Sequence, residues 1–195
     1  MAKKPILFNT EMTRAILRGI KTHTRRIVKE IPLQEPYFED VDGIPMVMVE
    51  FGDWYPATRF CRIQPVDILW VRETWFKDAG RYMYRADYSD NEKFYVNGRE
   101  IQMRWKPSIH MPRDAARLFL RVKKVGIERI QDIDMDGIRA EGLTSAAVRA
   151  GDFEKARLEW MTLWNSTINK DNMWRYRWKA NPWVWDIEFE RIEKP

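Results

Sequence analysis

The nine residues Asp67-Ile68-Leu69-Trp70-Val71-Arg72-Glu73-Thr74-Trp75 constrain the fold of this chain more than any other stretch. Alternation puts Leu69, Val71, Glu73 and Trp75 on one face of a strand and Ile68, Trp70, Arg72 and Thr74 on the other. Both faces are largely apolar, so the strand is expected to be central in its sheet. An Arg and a Glu inside such a strand have to be paired, beside a cavity or at the strand's end, because an ionised group is costly to bury alone. Arg72 and Glu73 are therefore candidate functional residues.

Around this strand the pattern alternates between sheet and helix periods. From residue 116 to 125, Leu118, Leu120 and Val122 alternate with Phe119, Arg121 and Lys123, which predicts a half-exposed strand bordering the core. Near the end, Trp183, Trp185, Ile187 and Phe189 alternate with Val184, Asp186, Glu188 and Glu190, which predicts a strand buried on one side. Asp152 opens the longest expected helix, to about Asn165, and its stripe of Phe153, Trp160, Met161 and Trp164 reads as core packing. Asn9 or Thr10 can cap a short helix that Gly19 stops, and Asp132 or Asp134 can cap another through Ile138 and Ala140 to Gly142. The fold class read from this order is α+β.

Two regions break the pattern. Pro32, Pro36, Gly43, Pro45 and Pro56 punctuate residues 31–65, read as an excursion from the core with short strands at 45–51 and 59–63. Residues 76–106 read as a second flap with a turn at Asn97-Gly98. Pro107-Ser108-Ile109-His110-Met111-Pro112 then forms a rigid connector. At 195 residues the chain is read as one domain, with insertions at about 31–65 and 76–106.

The residues richest in chemistry are Gly19-Ile20-Lys21-Thr22-His23-Thr24-Arg25-Arg26, which crowd an ammonium, two hydroxyls and two guanidiniums into a turn and the start of a strand. Thr22, Thr24 and Arg26 share one face of an ideal strand, and His23 and Arg25 the other, so a bend after Gly19 is needed to bring Lys21 beside Thr24. Such a cluster suits an anionic or carbonyl-bearing ligand. Glu141, at the C-terminal end of its expected helix, opposes the helix dipole and calls for a compensating partner or a use for a proton.

Other chemistries are disfavoured. Asp132-Ile133-Asp134-Met135-Asp136-Gly137 copies the opening of a calcium loop, but Leu143 stands where the bidentate Glu is required, and a helix cap accounts for it better. His23, His110 and Cys61 lie too far apart for a zinc site, so neither metal nor cofactor is expected. There is no Walker loop, dinucleotide fingerprint or nucleophile elbow. A net charge of +5 is compatible with phosphate ligands. Trp174-Arg175-Tyr176-Arg177-Trp178-Lys179 suits either base stacking with phosphate pairing or a loop with its aromatics tucked inward. One cysteine, no leader-like apolar run and no membrane-spanning stretch point to a cytoplasmic protein with no membrane partner.

Taken as an ordered set, residues 5–12 and 19–26, the strand at 69–75, the connector at 107–112, Ala140-Glu141-Gly142 and Asn181-Pro182-Trp183-Val184-Trp185 resemble the ASCH-domain family, nearest its long bacteriophage and prophage versions. The resemblance implies a PUA-like mixed β-barrel with flanking helices and a cleft that binds RNA or a modified nucleoside or nucleotide, with Thr22, Arg25, Arg26, Arg72 and Glu73 around it. A shorter branch of that superfamily deacylates acetylated cytidine, and its Lys, Thr and Glu fall on Lys21, Thr24 and Glu141 here. Such a trio makes chemical sense: a desolvated Lys21 between two Arg can lose its proton and activate the Thr24 hydroxyl for attack on an amide, leaving Glu141 to protonate the departing amine. The chain departs from the family in having Val66-Asp67 where a Gly-Asp turn usually precedes the central strand. Binding, amide hydrolysis and a role in phage assembly or host interaction are the three readings left open, as is the oligomeric state.

Overall fold

The computed structural model describes residues 1–29, 37–42, 44–48, 52–96 and 98–195. In chain order its strands and helices are β1 (Lys3–Leu7), α1 (Thr10–Leu17), β2 (His23–Ile27), β3 (Tyr37–Val41), β4 (Ile44–Met48), β5 (Trp54–Pro56), β6 (Ile68–Arg72), β7 (Trp75–Asp78) and β8 (Arg81–Tyr84). There follow β9 (Phe94–Val96), β10 (Arg99–Ile101), β11 (Phe119–Arg129), α2 (Met135–Ala140), α3 (Ala146–Ala150), α4 (Phe153–Thr167), α5 (Met173–Tyr176) and β12 (Trp183–Ile192). Mixed α+β is the class expected. No helix among the described residues is long and apolar enough to cross a membrane.

The main sheet has the order β1-β6-β11-β12-β2. Only β1 and β6 run parallel; the other neighbours are antiparallel. The strand read first in the sequence is interior, with Ile68, Leu69 and Val71 all buried. It is shorter than expected, because the ladder stops at Arg72 and β7 begins at Trp75 in a separate hairpin with β8. The edges β1 and β2 have no ladder between them among the described residues, so the closure expected of a barrel is not drawn by the backbone. A side chain joins them instead, with Arg26 Nη2 donating to the Leu7 carbonyl at 2.7 Å.

One face of the sheet carries the main core, where Leu69, Val71, Leu120, Val122, Trp185, Ile187 and Phe189 meet Phe8 and Ile16. The first insertion belongs to this core and is no excursion from it, because Val47, Ala57 and Cys61 are buried there. Its strands pair as β3-β4-β5, and the strand expected at 59–63 is replaced by a 3-10 turn, Ala57–Phe60. The Gln64 side-chain amide closes that turn on the carbonyls of Thr58 and Cys61, both at 2.6 Å. Glu30, Pro32, Pro36, Gly43 and Phe51 lie outside the described residues.

The last strand is buried on both sides at its start, since Val184 joins a second core with Ile130, Ile138, Trp160, Trp164 and Trp178. That core seats α2, α3 and α4 at one end of the sheet. A third cluster holds Trp75, Met111 and Phe119 beneath the β7–β8 hairpin. In the second flap β9 and β10 pair as expected about Gly98, at φ 75°, while Asn97 lies outside the described residues.

The entry to β6 is held by Asp67, whose carboxylate accepts from the backbone N–H groups of Ala2 and Gln64 and from Lys4 Nζ at 2.8, 2.9 and 2.5 Å. These bonds hold its pKa below the usual carboxylate value, against burial, which works the other way. Val66, just before it, sits at φ 65°. A β-branched residue there is strained. Val66→Gly is expected to raise the unfolding free energy by about 1 kcal/mol, the steric relief exceeding the extra entropy of the unfolded glycine. Urea unfolding of the two proteins measures it.

Candidate functional site

Two helix ends make the site. Asn9 caps α1 by accepting from the Met12 N–H at 2.8 Å, and Gly19 stops it at φ 72°. The N–H groups of Ile20 and Lys21 both return to the Ala15 carbonyl. This is the bend that the sequence required, and it turns Lys21 inward just ahead of β2. At the other helix, Asp134 caps α2 by accepting from Gly137 at 2.7 Å and Glu141 is its C-cap. The Thr22 N–H then donates to the Ala140 carbonyl at 2.8 Å and docks the two ends together. Gly142 permits the approach: at φ 97°, a Cβ there would stand 2.8 Å from that of Ala15 and 3.0 Å from that of Lys21.

The amine and the carboxylate meet in this junction. Lys21, 2% exposed, donates from Nζ to Glu141 Oε2 at 2.5 Å and to the Glu141 carbonyl at 2.9 Å. The other oxygen, Oε1, accepts from the Arg25 backbone N–H at 2.7 Å and from Arg25 Nη1 at 3.3 Å. Arg25 also binds Glu128 at 2.5 Å and lies 3.9 Å from Asp186. Burial pushes Lys21 below its ordinary pKa; Glu141 resists that push, and Arg26 and Arg25 reinforce it. Burial likewise raises Glu128 and Asp186 against the pull of Arg25. The cluster is thus a network in which two cations are more than matched by three carboxylates.

Beside it opens a cleft of about 410 Å³. It is lined by Thr24, Arg25, Arg26 and Glu141, by Phe8 and by Met12 of α1, and by Trp160, Trp164, Ser166 and Thr167 of α4. The Thr24 hydroxyl has no hydrogen-bond partner among the described residues. Lys21 does not line the cleft itself: its Nζ lies 5.6 Å from the Phe8 ring centre, and Phe8 and Glu141 are the groups that face the space. A smaller cavity of about 200 Å³ shares Asn9, Met12, Glu141 and Leu163 with the cleft and continues to Arg18 and Thr144.

Three of the sequence candidates lie elsewhere. Thr22 is exposed, its hydroxyl 3.0 Å from His23 Nδ1. Arg72 donates to the Ile109 carbonyl of the proline-flanked connector and packs against Trp70. Glu73 is buried and paired, but with Arg117 and not with its neighbour Arg72, through Nε and Nη2 at 2.9 and 3.0 Å. Burial raises the pKa of Glu73, and Arg117 opposes it. Arg117 is fixed in turn by Asp87 at 2.7 Å and by the Tyr84 ring 3.9 Å away. This network secures the start of the second flap. Conversely, the sequence reading assigned Trp160 and Trp164 to packing alone, whereas each is both buried in the second core and part of the cleft wall.

No family model matches the sequence, and no curated protein does. Among solved structures the chain is similar to an ASCH domain from Lactobacillus crispatus, with TM-score 0.42 and 10% identity over 99% of this chain and 81% of that one. It is also similar to a protein from Enterococcus faecalis described under the family model DUF984, with TM-score 0.37 and 10% identity over 99% and 81%. A third likeness, with TM-score 0.40 and 13% identity over 97% and 99%, is to the hypothetical protein PH0355. At these levels of likeness no property passes from those proteins to this one.

Lys21→Met is expected to lower the unfolding free energy by about 3–5 kcal/mol, because it leaves part of the Glu141 charge buried without its partner. Adding Glu141→Met should recover some of that loss. Urea unfolding of both variants measures the difference.

Proposed function

We propose that this chain is an ASCH-type protein, with a PUA-like sheet, whose cleft between β2 and α4 takes a single nucleoside unit, modified or unmodified. The observation that carries the reading is the composition of the cleft wall: the Thr24 hydroxyl and the Glu141 carboxylate, together with apolar surface from Phe8, Met12, Trp160 and Trp164. A planar heteroaromatic base needs both kinds of surface, faces to stack on and polar groups at its edge. A space of about 410 Å³ is within the range of small-molecule sites and too small for a duplex. The ordered motifs that suggest the family all border this junction or the strands behind it.

The cations at this site are poorly suited to gripping phosphates. Lys21 and Arg25 are already matched by Glu141, Glu128 and Asp186. The cleft therefore supports recognition of a base more than capture of a backbone. Arg26 is the exception, since it has no ion pair among the described residues; its Nη2 donates to the Leu7 carbonyl and its guanidinium lies 5.2 Å from the Phe8 ring centre.

The 2.5 Å contact of Lys21 with Glu141 favours a second reading, deacylation of an acylated nucleoside such as acetylated cytidine. In this scheme the Thr24 hydroxyl adds to the acyl carbon and its proton passes to the Lys21–Glu141 pair. The pair returns a proton to the departing amine as the C–N bond breaks, and water then frees the acyl group from Thr24. The downward push on Lys21 suits a group that has to give up and regain a proton.

Calorimetric titration with cytidine and with acetylated cytidine tests the binding reading. The parent is expected to bind, and Thr24→Val to weaken binding about threefold to tenfold, the worth of one neutral hydrogen bond. No binding of either nucleoside overturns the reading. For the second reading, chromatography should show deacetylation by the parent and none by Thr24→Val; turnover that survives in the variant removes Thr24 as nucleophile.

A further inference from the structure

The aromatic and basic segment 174–179 has both of the characters its sequence allowed. Trp178 turns inward and joins the second core, whereas Trp174 is 73% exposed, more than any other large apolar side chain among the described residues except Met1. Tyr176 lies between them, half-buried, with Arg175 Cζ 5.3 Å and Lys29 Nζ 5.9 Å from its ring centre.

The charges around it are also distinctive. Lys170, Arg175, Arg177 and Lys179 are all exposed, against the single anion Asp171 in the same stretch. None of the four cations has an ion-pair partner among the described residues. Elsewhere Arg14, Arg25, Arg85 and Arg117 each hold a carboxylate. Four exposed cations without an ion pair among the described residues thus stand beside an exposed aromatic ring.

This surface is fixed to the wall of the cleft. Trp164, which lines the cleft, donates its indole N–H to the Tyr176 carbonyl at 2.8 Å, and the Trp178 N–H donates to Asn165 Oδ1 at 2.8 Å. Ser166 and Thr167 of the cleft lie on the same last turn of α4. Residues 170–179 are thus anchored on the helix that forms one wall of the cleft.

We infer that residues 170–179 bind single-stranded nucleic acid running out of the cleft, with Trp174 stacking on a base and the four cations pairing with phosphates. The inference rests on the nucleoside reading for the unit in the cleft, and it makes the ligand a polymer. Stacking on an exposed indole is tolerant of sequence, and the cations make the affinity dependent on salt.

Fluorescence anisotropy with a labelled 12-nucleotide single-stranded RNA, and with DNA of the same sequence, tests it, together with calorimetry on free cytidine. Trp174→Ala is expected to weaken oligonucleotide binding about fivefold to a hundredfold. Arg175→Ala with Arg177→Ala should reduce the slope of log affinity against log salt by about 0.7 for each cation removed. Both sets of variants should bind cytidine as the parent does. Oligonucleotide affinity that is unchanged in these variants overturns the inference, as does a parent that binds neither oligonucleotide, or that binds only vesicles of phosphatidylserine and phosphatidylcholine. Failure of the cleft reading registers separately, as absence of cytidine binding.

Discussion

The contact between Lys21 and Glu141 joins residues 120 positions apart, and the cleft depends on it. Neither group is tolerable in its place alone. An amine without a counter-charge and a carboxylate without donors would each cost several kcal/mol at such burial, so the two helix ends that carry them have to arrive together. Backbone groups complete the arrangement, because Glu141 Oε1 accepts from the Arg25 N–H and the Ala140 carbonyl accepts from Thr22. The pair thereby fixes the height of β2 relative to α2. It contributes more to specificity of position than to net stability, since matched apolar side chains would fill the same space at lower electrostatic cost.

Local grammar made much of this legible. Asn9, Asp134 and Asp152 act as caps because short polar side chains can satisfy the first N–H groups of a helix, and each was visible in the sequence. Gly19 and Gly142 mark the positive-φ positions that let the two ends approach. Strands β6, β11 and β12 announced themselves by alternation. Val66-Asp67 is the informative exception: the sequence flags a departure from a glycine turn, and the chain keeps the turn by straining a valine that the Asp67 hydrogen bonds hold in place.

What could not be read locally was partnership at a distance. Glu73 belongs to Arg117 because the β7–β8 hairpin and the following turns bring that guanidinium over the end of β6, and nothing in the spacing of the two residues says so. Val47, Ala57 and Cys61 sit in the main core because the first insertion folds back, although its prolines suggested departure. The tryptophans of α4 show a further limit. A helical stripe predicts that Trp160 and Trp164 are buried, and they are, but burial does not say that the same rings border an opening on their other side.

Charge is distributed in a way that separates two tasks. In the junction Lys21 and Arg25 face carboxylates, so their field is short in range and serves to orient Glu141 and β2. On residues 170–179, four cations stand unpaired among the described residues and their field extends into solvent over about a Debye length. A polyanion would be drawn to the second surface and not to the first, while the uncharged face and edge of a base would find complementary groups in the first and not in the second. Selectivity and attraction then rest on different residues, and the indole of Trp164, bonded to Tyr176, is the link between them.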